Sequence, residues 1–199
     1  MIPVLHVRIM DKENTKRNKP KCLHQEIVAK SRLFAIESLA LTFSNGARRT
    51  YERLVRRSHG AVLIIPLQKN NEHILLVKEY AAGTERYELG FPKGLVEANE
   101  SPFEAANREL KEEVGFGAMR FHKLKSLSSS PSYFGLMVDL IVAEDLYPEK
   151  LKGDEPEPMD IVSWPVSELD ALLLRDDFTE ARSVAALYLL KQYLSELGG

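Results

Sequence analysis

The sequence lacks most of the features of secreted and membrane proteins. It has one cysteine, Cys22, in 199 residues, which excludes a disulfide within the chain and a cysteine-rich zinc site. No apolar run approaches the roughly 18 residues that a membrane-spanning helix needs, and the N-terminus shows no signal-peptide pattern. We therefore expect a cytoplasmic protein with no membrane contact.

An excess of charge of one sign is also absent. The 27 lysines and arginines nearly balance the 29 aspartates and glutamates, which leaves a net charge of −2. Proteins that bind nucleic acid through its phosphates need a basic excess, so we expect no nucleic-acid partner. Hydrophobic residues make up 44% of the chain, which is enough to bury a core and excludes wholesale disorder.

Local patterns predict two regions before the main domain. Residues 1–21, rich in basic residues and asparagine, are interpreted as a solvated tail or linker. Residues 22–57 predict N-terminal strands with an antiparallel hairpin, because alternating apolar residues flank the Asn45-Gly46 turn signal. A slip in that alternation predicts a bulge near the Ser38-Leu39 pair.

Residues 58–197 alternate predicted strands and helices, which indicates an α/β (α+β) domain with a mixed sheet. A helix is expected to start at Ser167, where a capping box follows, and a longer helix covers 181–197. Apolar runs predict the strands of this domain at 61–67, 74–77, 88–91, 121–127, 137–142 and 161–164.

Acidic residues concentrate in residues 94–116, which carry a net charge of −4. Ser101 as N-cap, Pro102 after it and Glu104 three positions on predict the start of a helix, and Gly115 predicts its end. The apolar residues that share the predicted core face of this helix are Phe103, Ala106, Leu110 and Val114.

Three glutamates, Glu109, Glu112 and Glu113, fall together on a flank of that face. They repel one another, and the helix dipole disfavours anions near the C-terminus of a helix. A divalent cation would remove this repulsion, because hard cations prefer oxygen ligands. A solvated acidic face without metal is the alternative that the charge pattern leaves open.

The spacing of the whole segment resembles the Nudix box, Gly-x5-Glu-x7-Arg-Glu-U-x-Glu-Glu-x-Gly-U, where U is apolar. Every fixed position is matched, by Gly94, Glu100, Arg108, Glu109, Leu110, Glu112, Glu113, Gly115 and Phe116. The resemblance covers about residues 60–195 and implies a Nudix hydrolase: an αβα sandwich around a mixed sheet, with a loop–helix–loop that binds Mg²⁺ or Mn²⁺. The family's substrates are nucleoside diphosphates linked to another moiety.

The same resemblance implies roles for the residues of the box. Glu109 and Glu113 are expected to be metal ligands, with Glu112 assisting directly or through water and the Gly94 carbonyl joining them. Arg108 is expected to orient the catalytic loop by pairing with a box carboxylate.

Hydrolysis at phosphorus also needs a base for the attacking water, and glutamates that bind metal are poorly available for it. Related ADP-ribose-type Nudix enzymes carry a glutamate-rich loop that supplies the base, and residues 153–158 resemble that loop. Glu157 is the first candidate and Glu155 the second. An ordinary solvated loop is the alternative, and Glu112 would then be the base.

Segments outside the box set the substrate. Pro131, 16 positions after Gly115, resembles a marker of ADP-ribose pyrophosphatases, and Tyr133, at 18 positions, resembles one of diadenosine polyphosphate hydrolases. With the segment around Glu88, they imply hydrolysis of ADP-ribose, NADH and diadenosine polyphosphates to release AMP. Ala81 stands where typical ADP-ribose pyrophosphatases have arginine, so narrow ADP-ribose specificity is not expected.

The N-terminal strands imply a homodimer, because relatives use such strands to dimerise and to cover the adenosine bound by the partner. Arg49, Tyr51 and Arg53 are then candidates for contacts with adenine and phosphates; a solvated surface strand is the alternative. Two other functions stay open: another Nudix pyrophosphatase, acting on nucleoside triphosphates, coenzyme A or capped RNA, and a non-catalytic nucleotide-binding Nudix module. The intact glutamate cluster argues against the module.

Overall fold

The computed structural model of the protein describes residues 18–55, 59–68 and 71–197. The chain separates after Val55 into two compact units. Most of the predicted tail at residues 1–21 lies outside the described residues. Within the described ranges, no helix is both long and apolar enough to cross a membrane.

The first unit is an antiparallel sheet of three strands in the order β1-β2-β3. Its strands are β1 (Lys21–Lys30), β2 (Ala35–Thr42) and β3 (Arg48–Leu54). The predicted hairpin joins β2 to β3: Gly46 adopts φ +81°, and its N–H donates to the Phe43 carbonyl at 2.9 Å. The predicted bulge at Ser38-Leu39 is wrong, because β2 and β3 pair there without a register shift and the irregular positions lie in β1.

A buried carboxylate lies in the middle of this small sheet. Glu37 is only 6% exposed, and its carboxylate accepts hydrogen bonds from Arg53 Nε at 2.6 Å and from Gln25 Nε2. The pairing matters because an uncompensated buried charge costs several kcal/mol. Large apolar side chains elsewhere in the unit are exposed: Leu23, Ile27, Val28, Leu33 and Phe34.

The second unit is built on a mixed sheet with the order β10-β5-β4-β9-β8, and two short strands pair with its members, β6 with β5 and β7 with β4. Strands β4 and β9 are parallel, and every other described pair is antiparallel. The strands are β4 (Ala61–Gln68), β5 (His73–Ala81), β6 (Arg86–Gly90), β7 (Lys93–Leu95), β8 (Phe116–Ser128), β9 (Met137–Pro148) and β10 (Asp160–Pro165). The strands predicted from apolar runs are all present.

Helices cover both faces of this sheet, which confirms the predicted αβα sandwich. They are α1 (Pro102–Glu109) with a π-helical turn (Leu110–Val114), a 3-10 turn (Val166–Glu168) with α2 (Leu169–Leu172), and α3 (Ala181–Leu197). Alternate residues of β4 divide the core: Leu63 packs in one cluster with Leu187 of α3, and Val62 in the other with Ala106 of α1. Each fully buried side chain of this size contributes about 1.5–3 kcal/mol.

The capping box predicted at Ser167 is wrong. Ser167 lies inside the 3-10 turn, and no side-chain hydrogen bond caps the start of α2. The turn is instead fixed from the sheet, because Trp164 Nε1 donates to the Glu168 carbonyl at 2.9 Å. The predicted helix over 181–197 is confirmed as α3.

Candidate active site

The acidic segment enters α1 through a complete capping box. Ser101 Oγ accepts from the Glu104 N–H at 3.3 Å, and the Glu104 carboxylate accepts from the Ser101 N–H at 2.8 Å. Pro102 occupies the first turn, where its missing N–H costs nothing. Such a cap contributes about 1 kcal/mol, so the predicted helix start is both confirmed and strongly specified.

The core face of the helix differs from the prediction at one end. Phe103 is 44% exposed and stacks on Phe121 at a centroid distance of 6.1 Å, whereas Ala105 is fully buried against the sheet. The helix also widens at its end, where the Gly115 N–H donates to the Leu110 carbonyl at 3.1 Å. This π-helical turn adds a residue to the last turn, a feature that is frequent at functional sites.

Arg108 holds the carboxylates of the box together. Its Nη1 donates to Glu109 at 2.8 Å and to Glu112 at 3.0 Å, while its Nε and Nη2 bind both oxygens of Glu100 at 2.9 and 3.0 Å. Nη2 also donates to the Leu95 carbonyl at 3.0 Å, which ties the helix to β7. Charge-assisted bonds to a planar guanidinium fix these carboxylates in direction as well as distance.

Glu113 lies apart from Arg108 and is almost fully buried. Its carboxylate accepts from the Lys93 backbone N–H at 3.1 Å, and the Lys93 ammonium pairs with Glu79. Burial raises the pKa of Glu113 to about 8, although Lys93 opposes the shift. Burial also raises the pKa of Glu109, and the bond from Arg108 offsets this only in part. The site therefore holds more buried carboxyl groups than its own cations stabilise in the ionised form.

The chain approaches the box glutamates at two glycines, Gly94 and Gly153. A Cβ on Gly94 would lie 2.5 Å from Glu109 Oε2 and closer still to Oε1, so only glycine leaves room for that carboxylate. A Cβ on Gly153 would lie 3.5 Å from the Glu112 Cβ, so the loop after β9 also packs on the helix. Lys150 Nζ anchors that loop by donating to the Glu112 carbonyl at 2.6 Å.

The glutamates open into a cleft of about 800 Å³. Its described lining brings together the box and the loop after β9: Lys93, Gly94, Arg108, Glu109, Glu112, Glu113, Lys152, Gly153, Asp154 and Glu155 are among its residues. Two smaller clefts, of about 410 and 190 Å³, adjoin it through Glu155, Glu79 and Lys93, which line more than one of the three. The size suits a nucleotide-sized ligand.

The two candidate bases lie in different places. Glu155 lines the large cleft with the box glutamates, and burial, Glu79 and Asp154 raise its pKa. Glu157 lines the 410 Å³ cleft, where its carboxylate accepts a hydrogen bond from the Tyr87 hydroxyl at 2.6 Å. The structure thus brings Glu155, and not Glu157, into the cleft of the box glutamates.

The predicted substrate residues of the second unit are spread over two regions. Glu88 lines the 190 Å³ cleft and accepts hydrogen bonds from Arg86 at 2.8 Å and Thr179 at 3.0 Å. Pro131 and Tyr133 lie in an exposed turn between β8 and β9. Neither is among the described residues that line the three clefts.

The other three substrate candidates belong to the first unit. Arg49, Tyr51 and Arg53 alternate along β3 and so share one face of its sheet. Arg53 is engaged with Glu37, while the Tyr51 ring lies 6.3 Å from that of Phe43 and is half exposed.

Sequence reasoning missed several residues of the clefts, among them Glu79, Lys93 and Tyr87. Lys93 directly precedes Gly94, the first residue of the box, so its position in the sequence could have predicted that it lies at the site. Glu79 and Tyr87 lie on strands β5 and β6 and reach the site only through sheet pairing, which no local pattern encodes.

In the described part of the chain, no three His, Cys, Asp or Glu side chains are grouped closely enough to hold a metal ion as they stand. Arg108 engages Glu109 and Glu112, and Glu113 is turned to the Lys93 amide. The donor set nevertheless fits a hard divalent cation, because three carboxylates from one helix end face the same cleft.

Known protein families match the chain in two places. The family described as the NudE-type Nudix hydrolase N-terminal domain matches residues 20–53. The family described as the NUDIX domain matches residues 57–187.

Individual proteins match over most of the chain. It is 54% identical to the ADP compounds hydrolase NudE of Escherichia coli K12 over 90% of this chain and 96% of that protein. It is 26% identical to the ADP-ribose pyrophosphatase of Bacillus subtilis over 86% and 95% of the two chains. A solved structure described as the crystal structure of ADP compounds hydrolase superposes with a TM-score of 0.86 at 53% identity, covering 92% of this chain and 97% of that one.

Proposed function

This chain belongs to the Nudix hydrolase family, and we propose that it hydrolyses the diphosphate linkage in ADP-ribose, NADH and diadenosine polyphosphates, releasing AMP. The observation that carries the proposal is the cleft in which Glu109, Glu112, Glu113 and Arg108 meet. The similarity of this chain to an ADP compounds hydrolase, along nearly the whole length of both, also supports the proposal. A module that only binds nucleotides has no need of this glutamate cluster.

Nudix hydrolases use divalent cations, and we assign Mg²⁺ to this site, with Mn²⁺ able to substitute. Glu109, Glu112, Glu113 and the Gly94 carbonyl would hold it. When bound, the metal supplies neutralisation of phosphoryl charge and activation of water. The close approach of Gly94 to Glu109 supports this donor set, because a side chain at that position would displace the carboxylate.

The chain's own residues orient the reactants and move the proton. Arg108 fixes the directions of Glu109 and Glu112, while Lys93 and Lys152 bring positive charge to the cleft that receives the phosphates. Glu155 accepts the proton of the attacking water. Burial and the neighbouring Glu79 and Asp154 raise the pKa of Glu155, which makes its carboxylate a stronger base. We place Glu155 ahead of Glu157 because Glu155 lines this cleft.

The remaining assignments concern substrate, assembly and compartment. Arg49, Tyr51 and Arg53 are proposed to contact adenine and phosphates, and the region of Glu88 and the exposed turn of Pro131 and Tyr133 are proposed to select the substrate. The protein is proposed to act in the cytoplasm as a homodimer. Exposed apolar side chains on and beside β1 support dimerisation, because burying them would stabilise an otherwise marginal small sheet.

The test is a substrate panel resolved by chromatography. ADP-ribose, NADH and diadenosine triphosphate are incubated with the protein and Mg²⁺, beside matched reactions with a nucleoside triphosphate, coenzyme A and capped RNA. We expect AMP from each ADP compound and much slower turnover of the others. Faster cleavage of the nucleoside triphosphate, coenzyme A or capped RNA would assign a different Nudix reaction. Tight binding of ADP-ribose without turnover would indicate a binding module.

A further inference from the structure

We propose that Tyr87 is a positioning residue: by holding Glu157 it fixes the loop of residues 153–158 and so keeps Glu155 in the large cleft. The inference rests on the proposed function, since it takes Glu155 as the base. In this proposal, Glu157 anchors the loop. Tyr87 and Glu157 both line the 410 Å³ cleft, so this cleft contains the anchoring contact.

Tyr87 is well placed to act as a fixed point. It lies on β6, directly opposite Tyr80 of β5, and the two rings meet edge to face with centroids 5.5 Å apart. Strand β5 in turn pairs with both β4 and β10 in the sheet of the second unit. The hydroxyl that donates to Glu157 at 2.6 Å is therefore carried by a strand that is paired to this sheet.

The backbone of the loop is stiff between Glu157 and Glu155, so fixing the position of Glu157 also restricts the position of Glu155. Residues 151–159 form no helix or strand, but Pro156 and Pro158 have fixed φ angles. Both glutamates directly precede a proline, which also restricts their own backbone to extended conformations. Only Pro156 separates them, so a displacement of Glu157 moves Glu155 with little opportunity for the backbone to absorb it.

The two ends of the loop are anchored elsewhere. Upstream, the Leu151 N–H donates to the Lys111 carbonyl at 3.2 Å, and Gly153 packs against Glu112. Downstream, Asp160 begins β10 opposite Lys78 of β5. The bond from Tyr87 meets the loop between these anchors, two residues after Glu155.

The hydrogen bond also argues that Glu157 is not the base. One of its oxygens is committed to a phenol hydroxyl, and the bond to Glu157 raises the pKa of Tyr87, which keeps that donor protonated. A base must instead be free to reach the attacking water in the cleft of the box glutamates.

The experiment compares kcat and KM for the variants Y87F, E157A and E157Q and the double variant Y87F/E157A. Y87F removes only the hydroxyl, and Y80F is its matched control because Tyr80 shares the cleft and the ring contact. We expect Y87F and E157A each to lower kcat about tenfold with KM nearly unchanged, as for a misdirected catalytic group. The double variant should be no slower than either single one, because both remove the same bond.

E157Q distinguishes anchoring from catalysis. The side-chain amide oxygen of E157Q would still accept a hydrogen bond from the Tyr87 hydroxyl, so E157Q should keep most of the wild-type kcat if Glu157 only anchors the loop. If Glu157 were the base, E157Q should lower kcat as far as E157A does. Equal loss in E157Q and E157A, additive effects of Y87F and E157A, or a Y80F variant as slow as Y87F would each overturn the proposal. Melting temperatures of all variants exclude losses through unfolding, and E157A remains decisive if Y87F is unstable.

Failure of the proposed function has a separate signature. If the wild type does not cleave ADP compounds, or if E155Q keeps its kcat, then the assignment of substrate or base is wrong, and the role of Tyr87 falls with it. If E155Q is slow while Y87F and E157A turn over normally, the base is supported and only the anchoring role of Tyr87 is refuted.

Discussion

Replacing Gly94 by alanine should separate catalysis from folding. The new Cβ would lie 2.5 Å from Glu109 Oε2, whereas ordinary contacts lie at 3.4–4 Å, so that oxygen must retreat by about 1 Å and Oε1 by more. A misplacement of about 1 Å in a reacting arrangement costs about 10²-fold in rate. We therefore expect G94A to lower kcat about 10²-fold.

The free energy of unfolding should change little in the same variant. The atoms that clash belong to the far end of a flexible side chain, which can rotate away, and Gly94 does not have a positive φ. A glycine-to-alanine change at a compatible backbone position stabilises by about 0.4–1 kcal/mol through the unfolded state, which offsets part of the rearrangement.

The assay is steady-state hydrolysis of ADP-ribose at saturating Mg²⁺, combined with thermal unfolding. G83A is the matched control, because a Cβ at Gly83 meets nothing within 4 Å and should leave both quantities unchanged. The double variant G94A/E109A should be no slower than E109A, because the E109A substitution removes the carboxylate with which the new Cβ would clash. A G94A enzyme with kcat within about threefold of wild type, less than about 0.7 kcal/mol, would refute the reasoning.

Three further predictions concern the box, the metal and the assembly. E113Q and E109Q should each lower kcat by at least about 10²-fold while melting normally, whereas E72Q, at an exposed position outside the three clefts, should not; near-normal turnover in either variant would exclude it as a ligand. EDTA should abolish hydrolysis and Mg²⁺ or Mn²⁺ restore it; activity that survives exhaustive chelation contradicts the metal assignment. Sedimentation at micromolar concentration should show a dimer that I27K shifts toward monomer, so a monomeric wild type would disprove the homodimer.

The sequence predicted those parts of the fold that short-range signals encode. The start of α1 depends on Ser101 and Glu104, which contact each other within one turn, and the hairpin depends on Gly46 at a position with positive φ. The strand β4 was equally clear, because a continuous apolar run is typical of a strand covered on both faces.

The errors arose where tertiary packing overrides local pattern. The helical wheel placed Phe103 in the core, but the sheet accommodates the smaller Ala105 there and Phe103 stacks on Phe121 of β8. The π-helical turn depends on how the helix end meets its neighbours, so even spacing at 100° could not anticipate it. The Tyr87–Glu157 and Lys93–Glu79 pairs join residues that are distant in sequence, and a single sequence gives no signal for such contacts.

The parallel pairing of β4 with β9 has a consequence for how the protein folds. Ala61 lies opposite Val138, so this pairing closes a long loop, and the whole glutamate-bearing helix lies inside it. Closing a long loop lowers the conformational entropy of the chain before the contacts that stabilise the closed loop have formed. Folding of such topologies is therefore slow. On the ribosome, the apolar face of α1 therefore stays without its complete sheet until β9 has been synthesised. Until then this segment is an exposed amphipathic surface that chaperones can recognise.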